Sequence, residues 1–128
     1  MAPSMRSIEE LRSMPALTLA YIGDAVFELM IREKLLEMPK HDNGTLHTTA
    51  LGFVSASAQS KWADIILPLL TEEENSVYMR GRNAKLSVSK KNSPMMHHKA
   101  TGFEALIGWL YLSGRRERLE GLIEKIPL

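Results

Sequence analysis

Cysteine is absent from this chain of 128 residues. That excludes a disulfide framework, a thiol nucleophile and any cysteine-bound metal centre, and it suits a reducing compartment. Charge of one sign is also lacking: the formal net charge is only +1, so overall charge by itself points to no polyanionic partner. Long apolar runs are missing. None approaches the roughly 20 residues that cross a bilayer, and residues 1–9 lack the apolar stretch of a signal peptide. No alternating apolar pattern calls for a strand, and there is no internal repeat or linker. What is present is ordinary for a globular protein: 45% apolar and 24% charged residues. The length is enough for one core. The expectation is a single all-α domain over residues 1–128, cytoplasmic, with no membrane segment.

The helices can be placed by caps and stops. Ser7-Ile8-Glu9-Glu10 is a capping box for a short first helix. Pro15 favours a second start, and that helix should run to about residue 38, before Pro39 and Asn43-Gly44. Its expected core stripe is Leu17, Tyr21, Phe27, Ile31 and Leu35, with Asp24 on the same stripe. Residues 45–67 read as one helix, with Leu46, Ala50, Phe53, Val54, Ser57 and Ala58 on one face. Thr71-Glu72-Glu73-Glu74 is a second capping box, opening a helix to about residue 83 with Val77 and Tyr78 inward. Residues 84–99 read mostly as loop. Residues 101–113 form a helix apolar on nearly every side, which belongs at the centre of the domain. Gly114 stops it, and residues 115–126 close the fold.

Two carboxylates stand out. Asp24 lies on an apolar stripe, and Glu104 is the only charged residue between Lys99 and Arg115. If the two helices pack together, both acids can serve one site. Two carboxylate oxygens plus water suit Mg²⁺, a hard cation that keeps part of its hydration shell. They do not suit zinc, and the histidines show no paired helical spacing for it. The alternative is that each acid is satisfied locally by a cation or, for Glu104, by a helix N-terminus.

Residues 75–103 contain no Asp or Glu but hold Arg80, Arg82, Lys85, Lys90, Lys91 and Lys99. This is a candidate phosphate-binding surface, with Asn83 available for hydrogen bonds. Aromatics are sparse there, which disfavours single-strand binding by base stacking. A duplex held by its backbone fits better, and for RNA that means recognition of shape and 2′-hydroxyls.

Tyr21-Ile22-Gly23-Asp24-Ala25-Val26 resembles the signature helix of the ribonuclease III family. The run from Phe103-Glu104-Ala105 to Leu112 resembles that family's second acidic helix, at matching separation, and Arg80-Gly81-Arg82-Asn83-Ala84-Lys85 resembles the basic segment of its short bacterial branch. The resemblance implies an all-helical, homodimeric, Mg²⁺-dependent endoribonuclease of double-stranded RNA. Its signature helices would pack across a two-fold axis, with the duplex in the valley between subunits. In that branch the substrate is the large-subunit (23S) ribosomal RNA precursor, and a ribosomal protein on the substrate is a possible further partner. Asp24 and Glu104 would hold Mg²⁺, and Arg80, Arg82, Asn83, Lys85, Lys90 and Lys91 would hold the RNA. Three family acids are replaced, by Leu17, Ala20 and Thr101, which implies a thinner metal shell. No double-stranded-RNA-binding domain is expected. Loss of those acids also leaves open a non-catalytic RNA-binding factor in ribosome assembly. A helical Mg²⁺ pyrophosphatase would need paired Glu residues on facing helices, whereas Glu9, Glu10 and Glu72 to Glu74 sit at helix starts.

Overall fold

The computed structural model describes residues 6–37, 43–85 and 95–127. Among them are seven α-helices and no strand: α1 (Ile8–Ser13), α2 (Ala16–Leu35), α3 (Asn43–Val54), α4 (Ala56–Ile66), α5 (Glu72–Arg82), α6 (Met95–Leu112) and α7 (Arg116–Ile123), with a 3-10 turn at Leu67–Leu69. The all-α expectation holds. Helix α6 is the axis. Phe103, Leu106, Ile107 and Leu110 on it are fully buried, and α2, α4, α5 and α7 pack against it. A helix apolar on nearly all sides must be enclosed by others, and that is its position here.

Both capped helix starts lie where the sequence puts them, and at α5 the box is closed from both sides. Ser7 Oγ accepts from the N–H of Glu10 at 3.1 Å. At α5, Thr71 Oγ1 accepts from Glu74 N–H at 3.1 Å while the Glu74 carboxylate accepts from Thr71 N–H at 2.9 Å. Glu74 is almost wholly buried, and Arg118 of α7 grips it with two nitrogens at 2.8 Å each. Gly114, at φ 76°, ends α6 in a conformation only glycine adopts freely. The N–H of Arg115 then turns back to the carbonyl of Leu110 at 2.9 Å.

The structure departs from expectation at three helices. Leu17 and Tyr21 are not core residues: they are 44% and 79% exposed. The buried stripe of α2 is Leu19, Ala20, Gly23, Phe27, Ile31 and Leu35. Leu17 lies two residues from Leu19, about 200° round the helix, so its side chain emerges on the far side. Asp24 is likewise off the buried stripe and exposed.

The single helix expected over residues 45–67 is two. Ser55 takes an extended backbone and caps α4, its Oγ accepting from Ala58 N–H at 3.2 Å. The break frees carbonyls at the end of α3, and side chains of α4 take them up. Trp62 Nε1 donates to Phe53 at 2.8 Å and Gln59 Nε2 donates to Val54 at 3.1 Å. Ser57, placed inward by the one-helix reading, is exposed because α4 begins a fresh phase.

Helix α6 begins at Met95 rather than Thr101, so residues 95–99 are helix, not loop. Glu104 therefore stands in the interior of α6, away from the helix N-terminus.

Candidate active site

The helices that carry Asp24 and Glu104 meet through their backbones at Gly23 and Gly108. A Cβ built on Gly23 would overlap the carbonyl oxygen of Glu104 and lie 2.8 Å from the nitrogen of Gly108. A Cβ on Gly108 would overlap the carbonyl oxygen of Leu19 and lie 3.0 Å from the nitrogen of Gly23. Helices α2 and α6 thus run antiparallel in direct main-chain contact, and only glycine permits so close an approach. Beyond it, Phe27 meets Phe103 edge to face, with ring centroids 5.0 Å apart. Asp24 adjoins one glycine, and Glu104 supplies the carbonyl that rests on it. Asp24 is exposed and Glu104 half-buried, so the buried Asp24 expected from its place on the apolar stripe is not found.

The neighbourhood is thin in acids. Among the described residues no group of three or more His, Cys, Asp or Glu could hold a metal. Ala20, one turn before Asp24, is buried in the core. Thr101, one turn before Glu104, donates its hydroxyl to the carbonyl of His97 at 2.9 Å. The available donors are hard carboxylate oxygens with no thiol nearby, which fits a cation of the Mg²⁺ type retaining several waters.

The basic segment lies beside the same part of α6. Gly81 approaches Gly102 so closely that a Cβ on it would stand 2.9 Å from the Gly102 Cα and 3.0 Å from the Thr101 carbonyl oxygen. This sets the C-terminal end of α5 next to the turn preceding Glu104. Asn83 and Lys85 are exposed there. Arg82 is half-buried and donates to Asn83 Oδ1 at 3.2 Å. Arg80 is placed differently. Its Nη2 donates to the carbonyl of Met14 at 2.6 Å, fastening α5 to the α1–α2 turn. Lys99 pairs with Asp64 of α4, so its charge is partly met within the chain. Lys90 and Lys91 lie outside the described residues. Sequence reasoning missed Gly108, whose signal was a glycine inside a strongly apolar helix. It also missed Arg115, which lies 4.5 Å above the Trp109 ring and pairs with Glu73.

No enclosed pocket is needed for a duplex, which must lie along an open surface. A groove of about 360 Å³ lies instead between α2 and α3, lined by Leu29, Leu36, Leu46, His47 and Ala50 together with Arg32 and Glu33.

A helical domain with two helix-borne carboxylates at one crossing and a basic helix end alongside has the layout of a nuclease. The Ribonuclease III domain pattern matches residues 17–115, and the chain belongs to the ribonuclease III family. That makes it an endoribonuclease, with double-stranded RNA as its substrate class. It is 45% identical over 113 residues to the Mini-ribonuclease 3 of Symbiobacterium thermophilum, covering 88% of this chain and 87% of that one. It is 41% identical over 119 residues to the Mini-ribonuclease 3 of Enterococcus faecalis, covering 91% and 90%. A crystal structure of protein FN1578 from Fusobacterium nucleatum superposes with a TM-score of 0.79 at 31% identity, covering 90% of this chain and 93% of that one. Among the described residues, no helix is long and apolar enough to cross a membrane.

Proposed function

We propose that the chain, as one domain over residues 1–128, is a cytoplasmic Mg²⁺-dependent homodimer that matures the ends of the large-subunit (23S) ribosomal RNA precursor. The observation that carries this reading is the α2–α6 crossing, where Gly23 and Gly108 pack the helix of exposed Asp24 directly on the helix of half-buried Glu104. Asp24 and Glu104 are the metal-holding and catalytic residues. When bound, the cation supplies an activated water and stabilises charge on the scissile phosphate. The chain's own part is to fix the two carboxylates on rigid helices and to hold the duplex over them. Arg82, Asn83 and Lys85 hold the RNA backbone beside Glu104. Lys90 and Lys91 extend that surface, and Arg80 adds the donors that Met14 leaves unused. The products carry 5′-phosphate and 3′-hydroxyl ends. Exposed Leu17, Tyr21 and Leu29 on α2, with Leu36 at its C-cap, support dimerisation, since so much apolar surface along one helix calls for a partner. A ribosomal protein bound to the substrate is a further partner consistent with this role.

The second reading, a non-catalytic assembly factor, draws on Ala20 and Thr101, which remove two acids from the family pattern. One experiment separates the two. The protein is incubated with a perfect RNA duplex and with a ribosomal precursor stem, with and without Mg²⁺, beside Asp24→Asn. The enzyme reading expects metal-dependent cutting that the substitution abolishes while duplex binding persists. Tight binding with no cutting by the parent protein would leave the assembly factor.

A further inference from the structure

The Gly23–Gly108 contact does more than pack two helices. Gly23 on Glu104 and Gly108 on Leu19 are two main-chain contacts one helical turn apart on each helix. Two such contacts fix separation, axial register and crossing angle together. The next turn is closed by the Phe27–Phe103 pair. The crossing therefore has a narrow end made of backbone and a wide end made of rings. Asp24 and Glu104 sit between these ends and inherit their spacing from both.

We infer that Gly108 and the Phe27–Phe103 pair are positioning residues that set the Asp24–Glu104 spacing and, through it, the ion preference of the site. The inference rests on the reading that these carboxylates hold a cation. Mg²⁺ demands near-ideal octahedral geometry at about 2.0–2.1 Å, whereas Ca²⁺ tolerates irregular shells at about 2.3–2.6 Å. Among the described residues no third acid joins these two carboxylates in a metal-holding group, so nothing there compensates for a change in their spacing. Displacing α6 should therefore penalise Mg²⁺ far more than Ca²⁺. Gly108→Ala forces the narrow end apart, because its methyl would overlap the Leu19 carbonyl oxygen. Phe27→Leu alters the wide end by removing volume, without a clash. Neither residue need touch the metal or the RNA.

The test uses the full chain and two measurements. The first follows Mn²⁺ binding by electron paramagnetic resonance, with Mg²⁺ and Ca²⁺ as competitors and no RNA present. The second follows duplex cleavage in Mg²⁺. Ile123→Ala, a core truncation in α7 away from the crossing, controls for general destabilisation, and Asp24→Asn tests the site itself. We expect Asp24→Asn to lose the Mn²⁺ site and cleavage. We expect Gly108→Ala and Phe27→Leu to lower the Mg²⁺-to-Ca²⁺ affinity ratio roughly tenfold, the size of effect that supporting residues have at metal sites. Their kcat should fall by up to about 10²-fold with KM for the duplex unchanged, as for small misplacements of reacting groups. An unchanged ratio in both variants, with Asp24→Asn inert, overturns the inference alone. An equal shift in Ile123→Ala also overturns it. Cutting by Asp24→Asn at the parent rate removes the site reading and the inference with it. If Gly108→Ala does not fold, Phe27→Leu decides.

Discussion

Replacing Arg80 and replacing Arg82 together with Lys85 should give opposite phenotypes, although all three belong to one basic segment. Arg80 is half-buried and donates to the Met14 carbonyl at 2.6 Å. This charge-assisted bond joins α5 to the turn between α1 and α2. Removing such a bond and leaving the acceptor partly covered costs about 1.5–3 kcal/mol. Arg80→Ala should lower the urea midpoint at constant slope, since the surface exposed on unfolding hardly changes. Among the described residues Arg82 donates to its neighbour Asn83 rather than to a distant element, and Lys85 is exposed. Arg82→Ala with Lys85→Ala should leave the urea midpoint nearly unchanged and weaken duplex binding. The loss must depend on salt: each phosphate contact removed lowers the slope of log affinity against log salt by about one, so the pair removes about two per protomer and twice that in a dimer. Equilibrium urea unfolding and filter binding of an RNA duplex across a salt series provide both numbers. The reasoning is refuted if Arg80→Ala is as stable as the parent, or if the double variant keeps the parental salt slope.

Two further outcomes follow from buried and exposed groups elsewhere. The Arg118 guanidinium beside Glu74 holds its carboxyl below the ordinary value of 4.5, against the opposing effect of burial. A carboxyl with a depressed folded-state pKa stabilises fully above its unfolded value and loses that contribution as pH falls through the folded one. Thermal unfolding should therefore show a stability loss below about pH 4.5 that is shallower in Glu74→Gln; an identical acid limb would exclude Glu74 as its source. Tyr21→Asp should convert the proposed dimer to monomer by analytical ultracentrifugation without loss of helix content, because Tyr21 is 79% exposed in the single chain and lies outside its core. A dimer that survives this change would move the interface off α2.

The readable parts of the sequence were those where local chemistry decides the outcome. The Thr71–Glu74 box, the Gly114 stop and the apolar α6 each act within a turn or two, and each lies where the residues put it. Helix α2 misled because it is apolar on two faces. Leu19, Phe27 and Ile31 bury in the domain, while Leu17, Tyr21 and Leu29 stay exposed. Periodicity cannot say which face is the core when both are apolar. The break at Ser55 was hidden for another reason. A serine inside an apolar run can cap as readily as it can sit in a helix, and the groups that favour the cap, Gln59 and Trp62, act from the following helix. Arg80 shows the limit for charge. Composition gives it the same sign as Lys85, and only tertiary structure shows that one guanidinium nitrogen is committed to Met14.

Asp24, which periodicity places on the core stripe, is exposed. Exposure suits a site. An exposed carboxylate can be approached by a duplex from the open side, whereas a buried one would need the helix to open first. What makes Asp24 unusual is its neighbour. A glycine inside a long helix is unfavourable by about 1 kcal/mol relative to alanine, and Gly23 and Gly108 carry that cost at the same crossing. Two such costs at one contact are difficult to account for by packing alone, since an Ala pair with a slightly wider spacing would bury comparable surface. They are accounted for if the spacing itself is what matters, because Asp24 and Glu104 are the acids whose separation that spacing fixes.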